Sequence, residues 1–186
     1  MQNLWHKKPK LNYSKDVLDI VQFGSSVLEE TEPNDIDIAV IFRGTNIKEQ
    51  LTQAQNIKKN LQKYTKTPIH IKPFDLYSLF NKANFAKENI LIYGFSLINN
   101  RYFANNFGLM PKIHISYSLQ KLPKKDKIKF NYLLSGKKGK YGLLRKHGGK
   151  LIKPGLIEIN PEKELVFTRQ IKKITSDYVV EKILRF

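Results

Sequence analysis

The run Ile36-Asp-Ile-Ala-Val-Ile-Phe42 constrains this chain more than any other feature. It is β-branched and almost wholly apolar, as expected of a strand whose sheet is covered on both faces. The segments around it suggest what covers that sheet. Lys48 to Lys63 reads as an amphipathic helix with Leu51, Ala54, Ile57, Lys58 and Leu61 along one side. Pro68 then opens a second strand, Ile69 to Lys72, and Asp75 stands as the N-cap of a short helix ending near Phe80. Ahead of the apolar run, Val17, Leu18, Ile20 and Val21 fall at helical spacing, which predicts a helix over Lys15 to Phe23. Glu88 to Leu109 reads as a connector with strand character at Ile90 to Tyr93.

Pro111 marks the expected domain boundary, separating residues 1–110 from 111–186. After it the rhythm changes. Lys112 to Tyr117 alternates as a strand, and Pro123 to Ser135 carries proline in its first turn and Gly136 just past its end, the usual punctuation of a helix. A glycine-lysine loop, Gly136 to Gly142, leads to a short helix closed by Gly148-Gly149. Pro154-Gly155 makes the turn of a hairpin, Pro161 to Ile174 is a second helix, and Tyr178 to Leu184 a last strand. The order β-α-β-β-α-β predicts a ferredoxin-like α+β module behind an α/β first domain.

Composition excludes several functions. The 186 residues contain no cysteine, so there is no disulfide framework, thiolate zinc site or cysteine nucleophile. The longest apolar runs, such as Ile38 to Phe42, fall far short of the roughly 20 residues a spanning helix needs. The N-terminal Met1-Gln-Asn-Leu-Trp-His-Lys-Lys lacks a secretory pattern, and the expected location is cytoplasmic without membrane association. The formal charge is +17, with 28 lysines to 5 arginines, a bias that an AT-rich coding sequence produces by itself. Bias does not explain its distribution. Residues 1–110 carry 14 basic and 10 acidic side chains, whereas 111–186 carry 19 and 6. A field of that sign attracts polyanions, of which nucleic acid is the commonest.

The chemistry lies in Phe23-Gly24-Ser25-Ser26 and Asp35-Ile36-Asp37-Ile38. Gly24 permits a tight turn, and Ser25 and Ser26 add hydroxyls beside main-chain N–H groups at an expected helix N-terminus, a suitable cradle for phosphate oxygens. Asp35 and Asp37 alternate on a strand, so both carboxylates project from one face while Ile36 and Ile38 turn to the core. Two carboxylates that close repel each other unless one is protonated or a cation lies between them, and Mg²⁺ shared with substrate phosphates fits such an oxygen site. The combination suits metal-assisted phosphoryl or nucleotidyl transfer.

At these residues the chain resembles the nucleotidyltransferase superfamily that includes DNA polymerase β, in particular its minimal nucleotidyltransferase branch. That family places an apolar residue, Gly, and Gly or Ser before a short spacer and Asp-apolar-Asp/Glu-apolar. Here the spacer between Ser25 and Asp35 is nine residues, and the resemblance covers about residues 15–75. It implies a polymerase β-like core with a mixed sheet and helices. It also implies that Gly24 and Ser25, with Ser26 beside them, hold a nucleoside triphosphate, while Asp35 and Asp37 bind two Mg²⁺ ions. Active members present a third carboxylate from the next strand. This chain has Ile69-His70-Ile71 there, with Asp75 the nearest alternative acid. Glu29, Glu30 and Glu32 occupy the spacer where many relatives carry basic or small residues. A neutral His70 can accept a proton from a substrate hydroxyl, whereas losing a carboxylate weakens the second metal site.

Lys137, Lys138 and Lys140 with Tyr141 in the glycine-rich loop, extended by Arg145, Lys146 and Lys150, are the candidate nucleic-acid contacts, with Tyr141 available to stack on a base. His6, His114 and His147 show no ligand spacing. The expected function is metal-dependent transfer of a nucleoside monophosphate from a nucleoside triphosphate to a nucleic acid, RNA in preference to DNA. The competing expectation is a catalytically degenerate transferase fold that binds nucleotide or RNA as a regulator.

Overall fold

In the computed structural model, which describes residues 4–81, 86–137 and 139–186, the apolar run sits inside a five-stranded mixed sheet. The chain divides into two compact units, Met1–Leu109 and Met110–Phe186. In the first, β1 (Val17–Phe23), β2 (Ile36–Phe42), β3 (Ile69–Asp75), β4 (Phe95–Ser96) and β5 (Arg101–Tyr102) lie in the order β3-β2-β1-β4-β5. Only β2 and β3 run parallel. Two separate apolar layers cover the sheet. On one side Ile20, Ile36, Ile38, Val40 and Phe42 pack with Ala54, Ile57 and Leu61 of α1 (Ile47–Leu61). On the other, Val21, Phe23, Ala39 and Ile41 pack with Leu79, Ile90 and Phe103.

Local chemistry sets the ends of these elements. Asn46 caps α1 by accepting the Glu49 N–H at 3.0 Å. Asp75 likewise caps α2 (Leu76–Leu79) through the Tyr77 N–H at 2.9 Å. Pro73 is tolerated within β3 because that strand is at the sheet edge, where a missing N–H breaks no ladder on its outer side.

Two secondary-structure expectations fail in the first unit. Lys15 to Phe23 is not helical: β1 occupies Val17–Phe23, and every residue of it except Leu18 is buried. A short apolar run between two neighbouring strands resembles a buried helix in its periodicity, and Asp19 and Gln22 interrupt the alternation that would have marked it. Ile90 to Tyr93 is not a strand either but the end of α3 (Lys87–Tyr93), where packing of Ile90, Ile92 and Tyr93 overrides β propensity. Gly94 closes this helix through an N–H bond to the Ile90 carbonyl, and a Cβ there would lie 2.1 Å from that oxygen.

The second unit contains β6 (Met110–Tyr117), α4 (Lys124–Ser135), a two-stranded hairpin of β7 (Gly136–Lys137) and β8 (Lys140–Tyr141), and α5 (Leu143–His147). It continues with β9 (Lys150–Lys153), β10 (Leu156–Ile159), α6 (Glu164–Lys172) and β11 (Tyr178–Arg185). Its four-stranded sheet has the order β11-β6-β10-β9, with every neighbouring pair antiparallel. Ile113, Ile115, Ile157 and Ile159 are buried along this sheet, as are Phe130 and Leu134 of α4 and Val166, Phe167 and Ile171 of α6. The segment expected as a loop at Gly136 to Gly142 is the β7–β8 hairpin. Gly136 and Gly142 admit the chain's own backbone, since a Cβ at Gly136 would lie 2.1 Å from Lys140 O and one at Gly142 2.2 Å from Leu134 O.

Candidate active site

β1 ends at Phe23, paired across the sheet with Asp37 of β2, and the chain turns immediately at Gly24. Gly24 has φ of +72°, and a Cβ there would stand 2.5 Å from Asp37 Oδ2. The position therefore requires glycine both for conformation and for space. The same contact places the Asp37 carboxylate directly against the turn. The helix expected to begin here is a single 3-10 turn, Gly24–Val27, too short to align more than a few peptide dipoles.

The turn is anchored from behind. The buried Ser26 hydroxyl donates to Phe23 O at 2.9 Å and accepts from Gln22 Nε2 at 3.2 Å, and Gln22 Oε1 accepts from Trp5 Nε1 at 3.1 Å. From the far side the Thr31 hydroxyl bonds the Ser25 and Leu28 carbonyls, each at 2.9 Å. Ser25 is left with its side chain exposed. Of the two hydroxyls read from the sequence, that of Ser25 faces outward and that of Ser26 is committed to holding the turn.

β3 brings the third group. Its parallel register sets His70 beside Asp37, and His70 Nδ1 lies 3.0 Å from Asp35 Oδ2. The ligand atoms of Asp35, Asp37 and His70 all fall within 4.8 Å of one another, a donor set of two carboxylates and an imidazole that fits a divalent cation. Burial raises the Asp37 pKa, and the negative charge of Asp35 adds to the rise; His70 and Lys72 oppose it without cancelling it. Asp75 lies elsewhere. It pairs with Phe42 at the other end of β2, and its two oxygens accept the Gly44 and Tyr77 N–H groups at 3.0 and 2.9 Å.

Lys72 is the site residue that sequence reasoning missed. It is exposed, lies two residues beyond His70 on β3 and therefore shares its face, and its charge acts on Asp37. Strand alternation from His70 was the available signal. A cation beside a carboxylate pair is placed to receive phosphate oxygens.

In the second unit the basic residues expected to contact nucleic acid occupy the β7–β8 hairpin, α5 and the start of β9. Lys137, Lys140, Tyr141, Arg145, Lys146 and Lys150 are all exposed, and Lys138 lies outside the described residues. Tyr141 is not bare: the Arg145 guanidinium covers one ring face at 3.9 Å, and Lys137 lies 5.0 Å over Tyr132. His114 has a structural place, 2.9 Å from the buried Glu158, which Arg185 also meets at 2.7 Å. Burial pushes the Glu158 pKa up, but the His114 hydrogen bond and the charges of Arg185, His114 and Lys112 bring it below the usual value.

No helix among the described residues is long and apolar enough to cross a membrane. The sequence model of the nucleotidyltransferase domain family matches residues 8–94, a span that contains Gly24, Asp35, Asp37, His70 and Lys72. No curated protein and no solved structure matches the chain.

Proposed function

From the match of residues 8–94 to the nucleotidyltransferase domain family, we propose that the protein transfers a nucleoside monophosphate from a nucleoside triphosphate to a nucleic-acid acceptor, RNA in preference to DNA. One observation carries the reading. The Gly24 turn, the Asp35 and Asp37 carboxylates and the Lys72 charge meet on one face at one end of the β1–β2–β3 ladder. A nucleotidyl transfer needs these groups together: donors and a cation for a triphosphate, and carboxylates to hold a divalent ion. Mg²⁺ bound at Asp35 and Asp37 would supply the positive charge that screens the triphosphate and the departing pyrophosphate.

The protein's own groups do the rest. The Gly24-Ser25 backbone and the Ser25 hydroxyl bind phosphate oxygens, Ser26 keeps the turn in shape, and Lys72 balances charge beside Asp37. His70 occupies the place of the third acidic group. The acceptor is held by residues 111–186, read as a ferredoxin-like βαββαβ module distinct from the domain at 1–110. The strand order, with the last strand beside the first and the third between first and second, supports that reading. So does the excess of 19 basic over 6 acidic residues, with Lys137, Lys138, Lys140, Tyr141, Arg145, Lys146 and Lys150 as the grip.

The test is incorporation of label from each of the four nucleoside triphosphates into RNA and DNA with Mg²⁺. We expect incorporation into RNA that falls steeply with salt and disappears in Asp35→Ala and Asp37→Ala. Incorporation that both substitutions leave unchanged overturns the assignment. His70 in place of a carboxylate favours a second reading, a regulator that binds nucleotide or RNA without turnover. Binding that needs no Mg²⁺ and survives Asp35→Asn, with no pyrophosphate released, would select it.

A further inference from the structure

We propose that His70 is a metal ligand and that it turns the Asp35–Asp37 site from a magnesium site into one that selects a transition ion, Co²⁺ or Mn²⁺, over Mg²⁺. The inference rests on the transfer reading in one respect only, that an ion binds at Asp35 and Asp37.

Three observations support it. The parallel β2–β3 register fixes His70 beside Asp37, so the imidazole belongs to the carboxylate face by the fold and not by a chance rotamer. The 3.0 Å between His70 Nδ1 and Asp35 Oδ2 is a hydrogen-bonding distance, and it is equally the separation of two adjacent ligands on an ion with bonds of about 2.1 Å. Asp37, whose carboxylate lies within 4.8 Å of both, accepts no hydrogen bond from the described residues. An imidazole that merely shielded Asp35 would leave that second, half-buried carboxylate to water alone. An ion touching all three engages it directly.

Ligand chemistry then decides which ion. Mg²⁺ is hard, demands oxygen and gives up its water reluctantly. Replacing a carboxylate by a neutral imidazole removes one negative charge from its shell and offers a nitrogen it binds poorly. First-row transition ions accept imidazole readily, with affinity rising from Mn²⁺ to Co²⁺. His70 is 62% exposed, which leaves the outer coordination positions open to water or to substrate phosphates. The same exposure makes the site tolerant of substitution.

The experiment uses the full chain freed of metal. Mn²⁺ binding is followed by electron paramagnetic resonance, nitrogen coupling to bound Mn²⁺ by electron spin-echo modulation, and relative affinities by competition with Co²⁺ and Mg²⁺. We expect directly bonded nitrogen in the wild type, lost in both His70→Asp and His70→Gln with the thermal midpoint unmoved. The Co²⁺-to-Mg²⁺ affinity ratio should drop by about tenfold or more in His70→Asp, because an oxygen ligand and a charge return together. Mn²⁺ bound without nitrogen coupling, or a ratio that His70→Asp leaves unchanged, overturns the assignment and leaves the transfer reading standing; a His70 that acts only as a proton acceptor gives this result. Ion binding that Asp35→Ala and Asp37→Ala do not alter removes the site itself and overturns both.

Discussion

Two aspartates of the same sheet, the buried Asp19 on β1 and the half-buried Asp37 on β2, have raised pKa values for the same first reason, removal from water. Their surroundings could hardly differ more. Asp19 accepts from the Ser96 hydroxyl at 2.6 Å, the Asn106 amide at 2.7 Å, the Ile20 N–H at 2.8 Å and the Asn99 amide at 3.4 Å. Asp37 has no such donors among the described residues and faces a second carboxylate. A desolvated carboxylate given donors ties distant segments together; one given none is held at a cost to stability. The first arrangement is what a fold needs, and the second is what an ion or a substrate completes.

The largest effects should separate these roles. Asp37→Ala is expected to lower nucleotide transfer by about a thousandfold or more, since under the proposed function it removes a group acting on transition-state charge. Its unfolding free energy should stay within about 0.5 kcal/mol of the wild type or exceed it, because a repulsion disappears. Asp19→Ala should do the reverse. It strands the Ser96, Asn99 and Asn106 donors and is expected to cost about 1–3 kcal/mol of stability, with activity per folded molecule retained. Urea unfolding and single-turnover transfer on both variants check the pair. A destabilised Asp37→Ala with near-normal turnover would reverse the roles of the two residues.

Gly24→Ala tests how closely the turn and the carboxylate are joined. A methyl group 2.5 Å from Asp37 Oδ2, at φ of +72°, must displace one or the other. We expect a loss of about 1–2 kcal/mol in stability from the backbone alone. A fall of about tenfold or more in transfer should accompany it as Asp37 shifts. A variant that loses stability but keeps its rate would show that the contact is structural only.

The geometry of the candidate site was legible in the sequence because its information is local. Gly24 declares a turn, and Asp35 and Asp37 declare a shared face by strand alternation alone. Even His70 required only one further strand. The features that escaped depend on distant partners. In β1, Asp19 and Gln22 break the apolar pattern, and their partners, Ser96 and Asn106 for Asp19 and Trp5 for Gln22, lie far along the chain. In α3, tertiary burial of Ile90 and Ile92 outweighs their strand preference. In the second unit the strands at Lys112, Leu156 and Tyr178 were readable from alternation and the Pro154-Gly155 turn. That Gly136 and Gly142 serve the hairpin's own closure was not, since only the backbone path reveals it.

The smallest expected effect separates the two aspartates by pH. Asp37 has a folded pKa above its unfolded value near 3.8, so its ionisation weakens the native state at neutral pH. That penalty fades as pH falls through the raised folded pKa and is absent below the unfolded one. Asp37→Asn, which cannot ionise, should therefore be more stable than the wild type at pH 7, by an amount that solvent screening keeps small, and the gap should close as pH falls through the folded pKa. Saturating divalent ion should close it at pH 7 as well, by raising the wild-type midpoint and not the variant's. Asp19→Asn offers the contrast: removing its charge relieves burial but also weakens the bonds from Ser96, Asn99 and Asn106, so divalent ion should move neither its midpoint relative to wild type nor the pH at which the two converge. A divalent ion that stabilised wild type and Asp37→Asn equally would mean that it binds away from this carboxylate, and that the missing donors of Asp37 have another explanation than a cation.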